Sequence, residues 1–318
     1  MKITVVGCGR WGSFIAWYLN KTGHSITTYG IPGEPTFDAF VNNRTNGIVT
    51  FGDEINLSSD PEKSLTEADA VVISINSQNL RSFLTENGKY ISKDKIIILC
   101  MKGLEIDTGK RLTEIVEEFL PENKVAIWVG PGHPQEFVLG YPNCMVIDSK
   151  DQELVTMLVS EFSSSLIRFY YGTDLIGNEV GAASKNVIGI AAGILDGLSR
   201  SSLKGALMSR GTREIARLIK AMGGNEMTAY GLSHLGDYEA TVFSKYSHNR
   251  MFGETLVKGE KYTSLAEGYY TVKAMMTLKD KYSVELPICE AVYNTIYNGT
   301  DINSSMAELF MRSVKNEF

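Results

Sequence analysis

The sequence has few residues of the kinds that build metal sites, disulfide frameworks or membrane spans. Its 318 residues include only 4 cysteines and 4 histidines, and neither type shows the close spacing of a metal or redox site. No basic run stands out, and 31 Lys and Arg residues against 37 Asp and Glu residues give a net charge of −6. The apolar runs are too short to cross a bilayer, and the amino terminus lacks the pattern of a signal peptide. We therefore expect a cytoplasmic protein with no bound metal, no nucleic-acid partner and no membrane insertion.

Short β-rich runs alternate with helical stretches through the first half of the chain. The predicted strands cover residues 3–6, 25–29, 70–75, 95–100, 125–129, 144–147 and 166–170, and those of residues 70–75 and 95–100 are apolar throughout much of their length. Continuous apolar strands between helices indicate a parallel sheet that is covered on both faces. The sequence therefore predicts an α/β, Rossmann-like, doubly wound domain.

After about Gly172 the pattern changes, because β-branched runs become scarce and helical periodicity continues to the end of the chain. The predicted helices of this part cover residues 209–222, 265–280, 287–297 and 304–314. We expect a dinucleotide-binding domain of residues 1–172 and an all-α substrate and catalytic domain of residues 173–318. A long helix that begins after Gly172 is expected to join them.

Residues 7–12 form a glycine-rich segment, Gly-Cys-Gly-Arg-Trp-Gly, which we call the glycine loop. It follows the first predicted strand and opens the first predicted helix, which is the context that a dinucleotide-binding G-x-G-x-x-G motif requires. Glycines permit a tight turn and close approach of the backbone, and the helix amino terminus then faces the pyrophosphate. The alternative is an ordinary strand-to-helix turn. We expect NAD or NADP as the cofactor.

The end of the second predicted strand does not decide between NAD and NADP. It reads Tyr-Gly-Ile-Pro-Gly-Glu at residues 29–34, with no carboxylate at the strand end for the adenosine ribose. No Arg or Lys stands there for a 2′-phosphate either. Glu34 lies several residues late, in a Pro-Gly turn.

Lys185 stands in a long apolar helix, at the one missing place in a series of glycines spaced four residues apart. The glycines of this series are Gly177, Gly181, Gly189, Gly193 and Gly197. Residues four apart share a helical face, and each glycine weakens a helix, so the series indicates close approach of another backbone or of a ligand. A lysine on such a face is either functional, or it is structural and extends to the surface or pairs with a carboxylate.

Three further segments offer chemistry. Lys102 and Gly103 follow the strand that ends at Cys100, and the Gly-Pro-Gly-His-Pro segment of residues 130–134 follows the next strand. Both are expected at the edge of the sheet where ligands bind. Residues 247–250 read Ser-His-Asn-Arg, a set of groups suited to a small anionic substrate. For each segment a solvated surface loop is the structural alternative.

Taken together, these motifs resemble the NAD(P)-dependent glycerol-3-phosphate dehydrogenases of bacterial type, over nearly the whole chain. The glycine loop, Lys102-Gly103, Gly130-Pro131 and the Ser-Lys-Asn-Val segment of residues 184–187 are similar to the family's motifs and follow its order. The further matching segments are Arg210-Gly211 with Glu214, Gly236-Asp237, Asn249, Phe252-Gly253, Ala266-Glu267-Gly268 and the Glu-Leu-Pro-Ile of residues 285–288.

The resemblance implies a role for each matching residue. Lys185 would donate and accept the proton at the substrate's C2 oxygen, with Asp237 beside it. The implied substrate-binding residues are Lys102, Gly130, Gly132, Lys185, Asp237, Ser247, His248 and Asn249. The implied cofactor-binding residues are Gly7, Gly9, Arg10, Trp11, Gly12, Lys102, Pro134 and Glu267. The implied reaction transfers a hydride between the nicotinamide and C2 of dihydroxyacetone phosphate or sn-glycerol 3-phosphate.

The main departure from the family's pattern is His248, which stands where an arginine usually grips the substrate phosphate. Histidine is a weaker phosphate ligand than a bidentate guanidinium. A related dehydrogenase acting on a different small 2-oxo or three-carbon compound therefore stays open, and so does a non-catalytic dinucleotide sensor. The sequence also leaves a homodimer open, for which the helix of residues 291–297 would offer an apolar face unless that face belongs to the core of the domain.

Overall fold

The computed structural model describes residues 1–314, 316 and 317 of the chain. The chain divides into two compact units. Unit 1 comprises Met1–Lys102 and Lys110–Glu179, and unit 2 comprises Gly103–Gly109 and the chain from Val180 onward. The division into residues 1–172 and 173–318 stays a prediction about the domain boundary.

Unit 1 contains an eight-stranded sheet. Its strands are β1 (Lys2–Val6), β2 (Ser25–Tyr29), β3 (Asn56–Ser58), β4 (Ala70–Ile73), β5 (Ile96–Leu99), β6 (Lys124–Val129), β7 (Asn143–Ser149) and β8 (Ile167–Tyr171). They lie in the order β3-β2-β1-β4-β5-β6-β7-β8. The order reverses direction at β1 and β4, as it does in doubly wound folds, and this confirms the predicted fold class.

Two features of the sheet differ from the sequence-based expectation. Strand β7 runs antiparallel to β6, while all the other neighbouring pairs of the sheet are parallel. A short run such as Cys144–Ile147 carries no mark of its direction, because direction depends on the connection and not on the residues. Strand β3 was not predicted, since Asn56–Ser58 has only three residues and a half-exposed, polar composition.

The helices of unit 1 cover the two faces of this sheet in sequence with the strands. They are α1 (Arg10–Lys21), α2 (Pro35–Asn43), α3 (Pro61–Thr66), α4 (Leu80–Asn87), α5 (Leu112–Phe119), α6 (Pro134–Val138) and α7 (Gln152–Phe162). Several begin with proline at the first helical position, where the missing N–H costs nothing. The core combines many aliphatic side chains with large aromatic ones, and Phe14, Trp128 and Phe162 are fully buried.

Helix α8 (Leu175–Gly197) begins in unit 1 and continues into unit 2. Its first turn is held within unit 1 by two buried carboxylates. Asp148 accepts hydrogen bonds from the Asp174 amide at 3.0 Å and the Asn178 side chain at 2.7 Å. Arg111 and Glu179 form a buried ion pair at 2.6 Å. The predicted long helix after Gly172 is therefore present, and it is anchored at its start.

The rest of unit 2 is helical. Its further helices are α9 (Lys204–Ala221), α10 (His248–Lys258), α11 (Glu267–Tyr282), α12 (Pro287–Tyr297) and α13 (Ile302–Met311). Between α9 and α10 the chain forms short helical turns at Glu226–Tyr230, Leu235–Asp237 and Glu239–Phe243. Among the described residues, no helix combines the length and the apolar composition that a membrane span needs.

Candidate active site

In unit 1 the glycine loop connects β1 to α1 with the backbone geometry that a tight turn needs. Gly7 has a φ of +103°, which favours glycine, and its amide donates to the carbonyl oxygen of Tyr29 at 3.0 Å. A Cβ on Gly7 would strike the Ser74 carbonyl, and a Cβ on Gly12 would strike the Gly7 carbonyl. By contrast, a Cβ on Gly9 would meet no atom of the described residues within 4 Å.

This geometry fits a dinucleotide. Gly9 is the residue before the first turn of α1, whose free amides attract a pyrophosphate. The tight contacts at Gly7 and Gly12 bring strand and helix together, while the open space at Gly9 lets a ligand approach the backbone. The residues present can therefore hold an NAD or NADP pyrophosphate.

Lys102 lies beside this loop. Its ammonium group donates to the Gly130 carbonyl at 2.7 Å and stands 5.9 Å from the centre of the Trp11 ring. Trp11 also packs on Phe14 and Phe137, with ring centres 5.2 and 6.3 Å away. Unit 1 thus brings Lys102, Trp11 and Gly130 together at the carboxyl-terminal edge of the sheet, as the strand positions predict.

The other predicted residues of unit 1 lie near the same edge. Gly130 and Gly132 have φ values of +137° and +139°, so the turn after β6 requires glycine at both positions. Pro134 begins α6, and Arg10 donates to the side chain of Gln135 at 3.3 Å. Their roles in binding stay predictions.

In unit 2, Lys185 forms a buried ion pair. Its ammonium nitrogen lies 2.5 Å from a carboxylate oxygen of Asp237, and the two side chains are 9% and 1% exposed. It also donates to the Thr241 hydroxyl at 3.0 Å, and that hydroxyl donates in turn to the Asp237 carbonyl at 2.8 Å. The sequence did not single out Thr241, which follows Asp237 by four residues and belongs to the next helical turn.

The glycines of α8 explain how Asp237 comes so close to this helix. A Cβ on Gly189 would lie 2.8 Å from Thr241 and 3.2 Å from Asn249, and a Cβ on Gly197 would lie 2.7 Å from Val257. A Cβ on Gly193 would strike the carbonyl of Arg250. We call Gly181, Gly189, Gly193 and Gly197 the glycine stripe. The predicted close approach of another backbone to this face is confirmed.

His234 and Tyr238 hold the turn that carries Asp237. The Nδ1 atom of His234 lies 2.8 Å from the Gly181 carbonyl, and its Nε2 lies 2.8 Å from the Tyr238 hydroxyl. Since a carbonyl only accepts, Nδ1 carries the proton and Nε2 accepts from Tyr238. The pKa of His234 is lowered to about 4, mainly by burial and in smaller part by the nearby Lys185 charge. His234 is therefore neutral beside the Lys185–Asp237 pair.

The remaining predicted residues of unit 2 lie around the start of α10. Ser247 caps this helix by accepting from the Arg250 amide at 3.3 Å. His248 bonds the Tyr262 hydroxyl at 2.6 Å. Asn249 donates to the Asn186 side chain at 3.0 Å and accepts from the Gly268 amide at 2.8 Å. The structural alternative of a surface loop is wrong for this segment, because the Ser247 cap starts a helix here.

Two other points concern the anion-binding prediction. Arg250 is bonded to Asp196 at 2.7 Å and to the Ser244 carbonyl at 3.1 Å, so its guanidinium is engaged away from the position of His248. Glu267 begins α11, one residue before Gly268. Within the described residues no cluster of His, Cys, Asp or Glu could hold a metal ion.

Comparison with known proteins agrees with this arrangement of motifs. Residues 2–155 match the N-terminal model of the NAD-dependent glycerol-3-phosphate dehydrogenases, and residues 174–307 match the C-terminal model. A protein of Fusobacterium nucleatum is 34% identical over 100% of this chain and 98% of its own length. A protein of Bacillus anthracis is 35% identical over 99% of this chain and 97% of its own length. Both are named glycerol-3-phosphate dehydrogenase, NAD(P)+.

Solved structures show the same fold. The glycerol-3-phosphate dehydrogenase of Coxiella burnetii superposes with a TM-score of 0.92 and 26% identity, over 98% of this chain and 99% of that one. A D-mandelate dehydrogenase superposes with a TM-score of 0.67 and 16% identity, over 96% of this chain and 100% of that one. At that identity the second likeness concerns the fold alone.

Proposed function

Because the chain belongs to the NAD-dependent glycerol-3-phosphate dehydrogenase family, we propose that it interconverts dihydroxyacetone phosphate and sn-glycerol 3-phosphate. The observation that carries the proposal is the buried Lys185–Asp237 pair, with the Thr241 hydroxyl on the same ammonium group. A lysine held in this way can deliver a proton to a substrate oxygen and take it back in the reverse direction.

When bound, a nicotinamide cofactor would supply or receive the hydride at C2 of the substrate. Lys185 protonates the C2 oxygen on reduction of the ketone, and Asp237 and Thr241 fix the direction of its ammonium group. Ser247, His248 and Asn249 bind the phosphate at the amino terminus of α10, where free amides favour an anion. Lys102, Gly130 and Gly132 bind substrate, while the glycine loop, Lys102, Pro134 and Glu267 bind the cofactor.

The test replaces Lys185 by arginine, which keeps the positive charge beside Asp237 but does not give up its proton. We expect kcat for dihydroxyacetone phosphate to fall by about 10²- to 10⁴-fold, measured as the loss of NAD(P)H absorbance. The matched control is Lys204→Arg, at a buried lysine that pairs with Asp196 at 2.7 Å in the same unit. The Lys204→Arg variant should keep the turnover of the wild type. Unchanged turnover in Lys185→Arg would contradict the mechanism.

His248 supports a second candidate, a dehydrogenase of the same chemistry that acts on another small 2-oxo or three-carbon compound. Arg250 does not fill the place of a phosphate-binding arginine, since Asp196 and Ser244 hold it. A panel of ketones with both NADH and NADPH decides between the two, and a clear preference for dihydroxyacetone phosphate would remove the second. Tight NADH binding without turnover on any ketone would instead support the sensor interpretation.

A cytoplasmic location, a small phosphorylated substrate and a lack of nucleic-acid binding belong to the same proposal, as does a homodimer. Exposed apolar side chains support the homodimer, since Phe310 and Met311 of α13 are 69% and 83% exposed. Light scattering of the purified protein tests it, and a mass of about one chain, 35.1 kDa, would contradict it.

A further inference from the structure

The end of β2 lies directly against the glycine loop. The Gly7 amide is bonded to the Tyr29 carbonyl at 3.0 Å, and a Cβ on Gly30 would lie 2.9 Å from the sulfur of Cys8. In folds of this kind the ribose of the adenosine half is bound at the end of the second strand. Whatever charge stands after Tyr29 therefore faces the 2′ position of the cofactor, which is a hydroxyl in NAD and a phosphate in NADP.

The segment that follows β2 offers no basic side chain for a phosphate. Between Lys21 and Arg44 the sequence contains neither lysine nor arginine. Arg44 donates to the main-chain carbonyls of Gly52 and Ile55, the latter at 2.8 Å, so its guanidinium stabilises the loop that precedes β3. A 2′-phosphate would thus lack the charge-assisted hydrogen bonds that hold it in NADP-dependent proteins.

Carboxylates stand there instead. The turn after β2 closes with the Glu34 amide bonded to the Ile31 carbonyl at 3.1 Å, which brings Glu34 back toward the strand end. Its charge reaches the loop: burial raises the pKa of the Cys8 thiol to about 12, with Glu34 as the second cause. Asp38 accepts from the Gly33 amide at 3.1 Å.

The acidic character extends along the strand end. Burial raises the pKa of Tyr29, and the charges of Glu86 and Asp60 raise it further. Four carboxylates, those of Glu34, Asp38, Asp60 and Glu86, therefore act on or beside the segment that would face the ribose. Carboxylates repel a 2′-phosphate of the same charge, whereas they accept hydrogen bonds from ribose hydroxyls.

We propose that this acidic strand end makes the protein selective for NAD(H) over NADP(H), with Glu34 as the residue that accepts from the adenosine ribose and repels a 2′-phosphate. The inference rests on the dinucleotide-binding part of the proposed function and is independent of which ketone is reduced. Glu34 can be tested cleanly, because it is exposed and its side chain makes no capping hydrogen bond to α2.

The experiment measures binding of NADH and NADPH to the purified full chain without substrate, by fluorescence titration, and then kcat/KM with each cofactor. We expect NADH to bind at least about tenfold more tightly than NADPH at low salt. Added salt should bring the two affinities closer together, since it screens the repulsion between the carboxylates and the 2′-phosphate. In Glu34→Gln the ratio of the affinity for NADH to the affinity for NADPH should fall, because NADPH binds better and NADH binds less well.

The matched control is Glu122→Gln, which removes the same charge from an exposed residue of unit 1. Glu122 precedes β6 and so lies at the opposite edge of the sheet from the end of β2. It should leave the ratio unchanged. Equal affinities in the wild type would overturn the inference, and an unchanged ratio in Glu34→Gln would overturn the role of Glu34. Failure to bind either cofactor would overturn the proposed function as well.

Discussion

The glycines of the two units serve different purposes. In the glycine loop of unit 1, Gly9 leaves open space beside the backbone, whereas the glycine stripe of unit 2 allows another segment of the chain to pack closely against α8. A Cβ on Gly9 would meet nothing within 4 Å among the described residues. A Cβ on Gly189 would lie 2.8 Å from Thr241, and one on Gly193 would strike the main chain of α10. A side chain added in the loop should therefore affect ligand binding, and one added in the stripe should affect packing.

The largest expected effect is on the stripe. Gly193→Ala forces a methyl group against the Arg250 carbonyl, with the Glu254 amide 2.9 Å away, so α10 must shift. We expect the free energy of unfolding to fall by about 3 kcal/mol, measured by urea denaturation. Gly205→Ala is the control, because Gly205 lies within α9 with no atom of the described residues within 4 Å of its added Cβ. It should gain up to about 1 kcal/mol. A Gly193→Ala protein as stable as Gly205→Ala would show that the stripe does not restrict packing.

Gly181 of the stripe leaves room for His234, whose ring is fully buried. The pKa of His234 is lowered to about 4, mainly by burial, while an unfolded chain has a histidine pKa of about 6.5. The unfolded state therefore binds more protons between these values. The contribution of neutral His234 is complete above pH 6.5 and is lost as the pH falls toward 4, by up to about 3 kcal/mol.

Urea denaturation between pH 7 and pH 4 measures this loss. The variant His234→Asn keeps an N–H for the Gly181 carbonyl but does not titrate, so its stability should fall less steeply than that of the wild type. His24→Asn is the control in unit 1, at a buried histidine whose pKa is lowered less than that of His234, so its replacement should change the slope less. Identical slopes for the wild type and His234→Asn would show that His234 is not buried in its neutral form.

The smallest expected effect on stability belongs to the loop. Gly9 has a φ of −65°, so Gly9→Ala introduces no backbone strain and should change the free energy of unfolding by less than about 1 kcal/mol. The new methyl group occupies the space that a pyrophosphate needs, so NADH affinity should fall about tenfold or more, by fluorescence titration. Gly88→Ala should leave NADH binding unchanged, since its added Cβ meets only Leu120 at 3.9 Å. Unchanged NADH affinity in Gly9→Ala would remove the difference between loop and stripe.

The fold class and the glycine loop could be predicted from the sequence because both depend on patterns of residues that are close together in the chain. Apolar runs between helices mark a covered sheet, and a G-x-G-x-x-G segment at a strand-to-helix turn marks a dinucleotide site. The direction of β7 had no such mark, and it was missed. His234 and Thr241 were missed for a related reason, since single polar residues show no periodicity that reveals a buried partner.

Lys185 shows most clearly where the sequence alone stops. Its place in a row of glycines determined that something approaches this helical face, because glycines four apart leave one side of a helix bare. Only the tertiary structure decided that the approaching segment is the chain around residues 234–257, and that Asp237 and Thr241 meet the ammonium group. Likewise the sequence placed Glu34 late in a turn, and the fold of that turn brought its charge back to the glycine loop. Partners distant in the chain are chosen by packing, which no local spacing encodes.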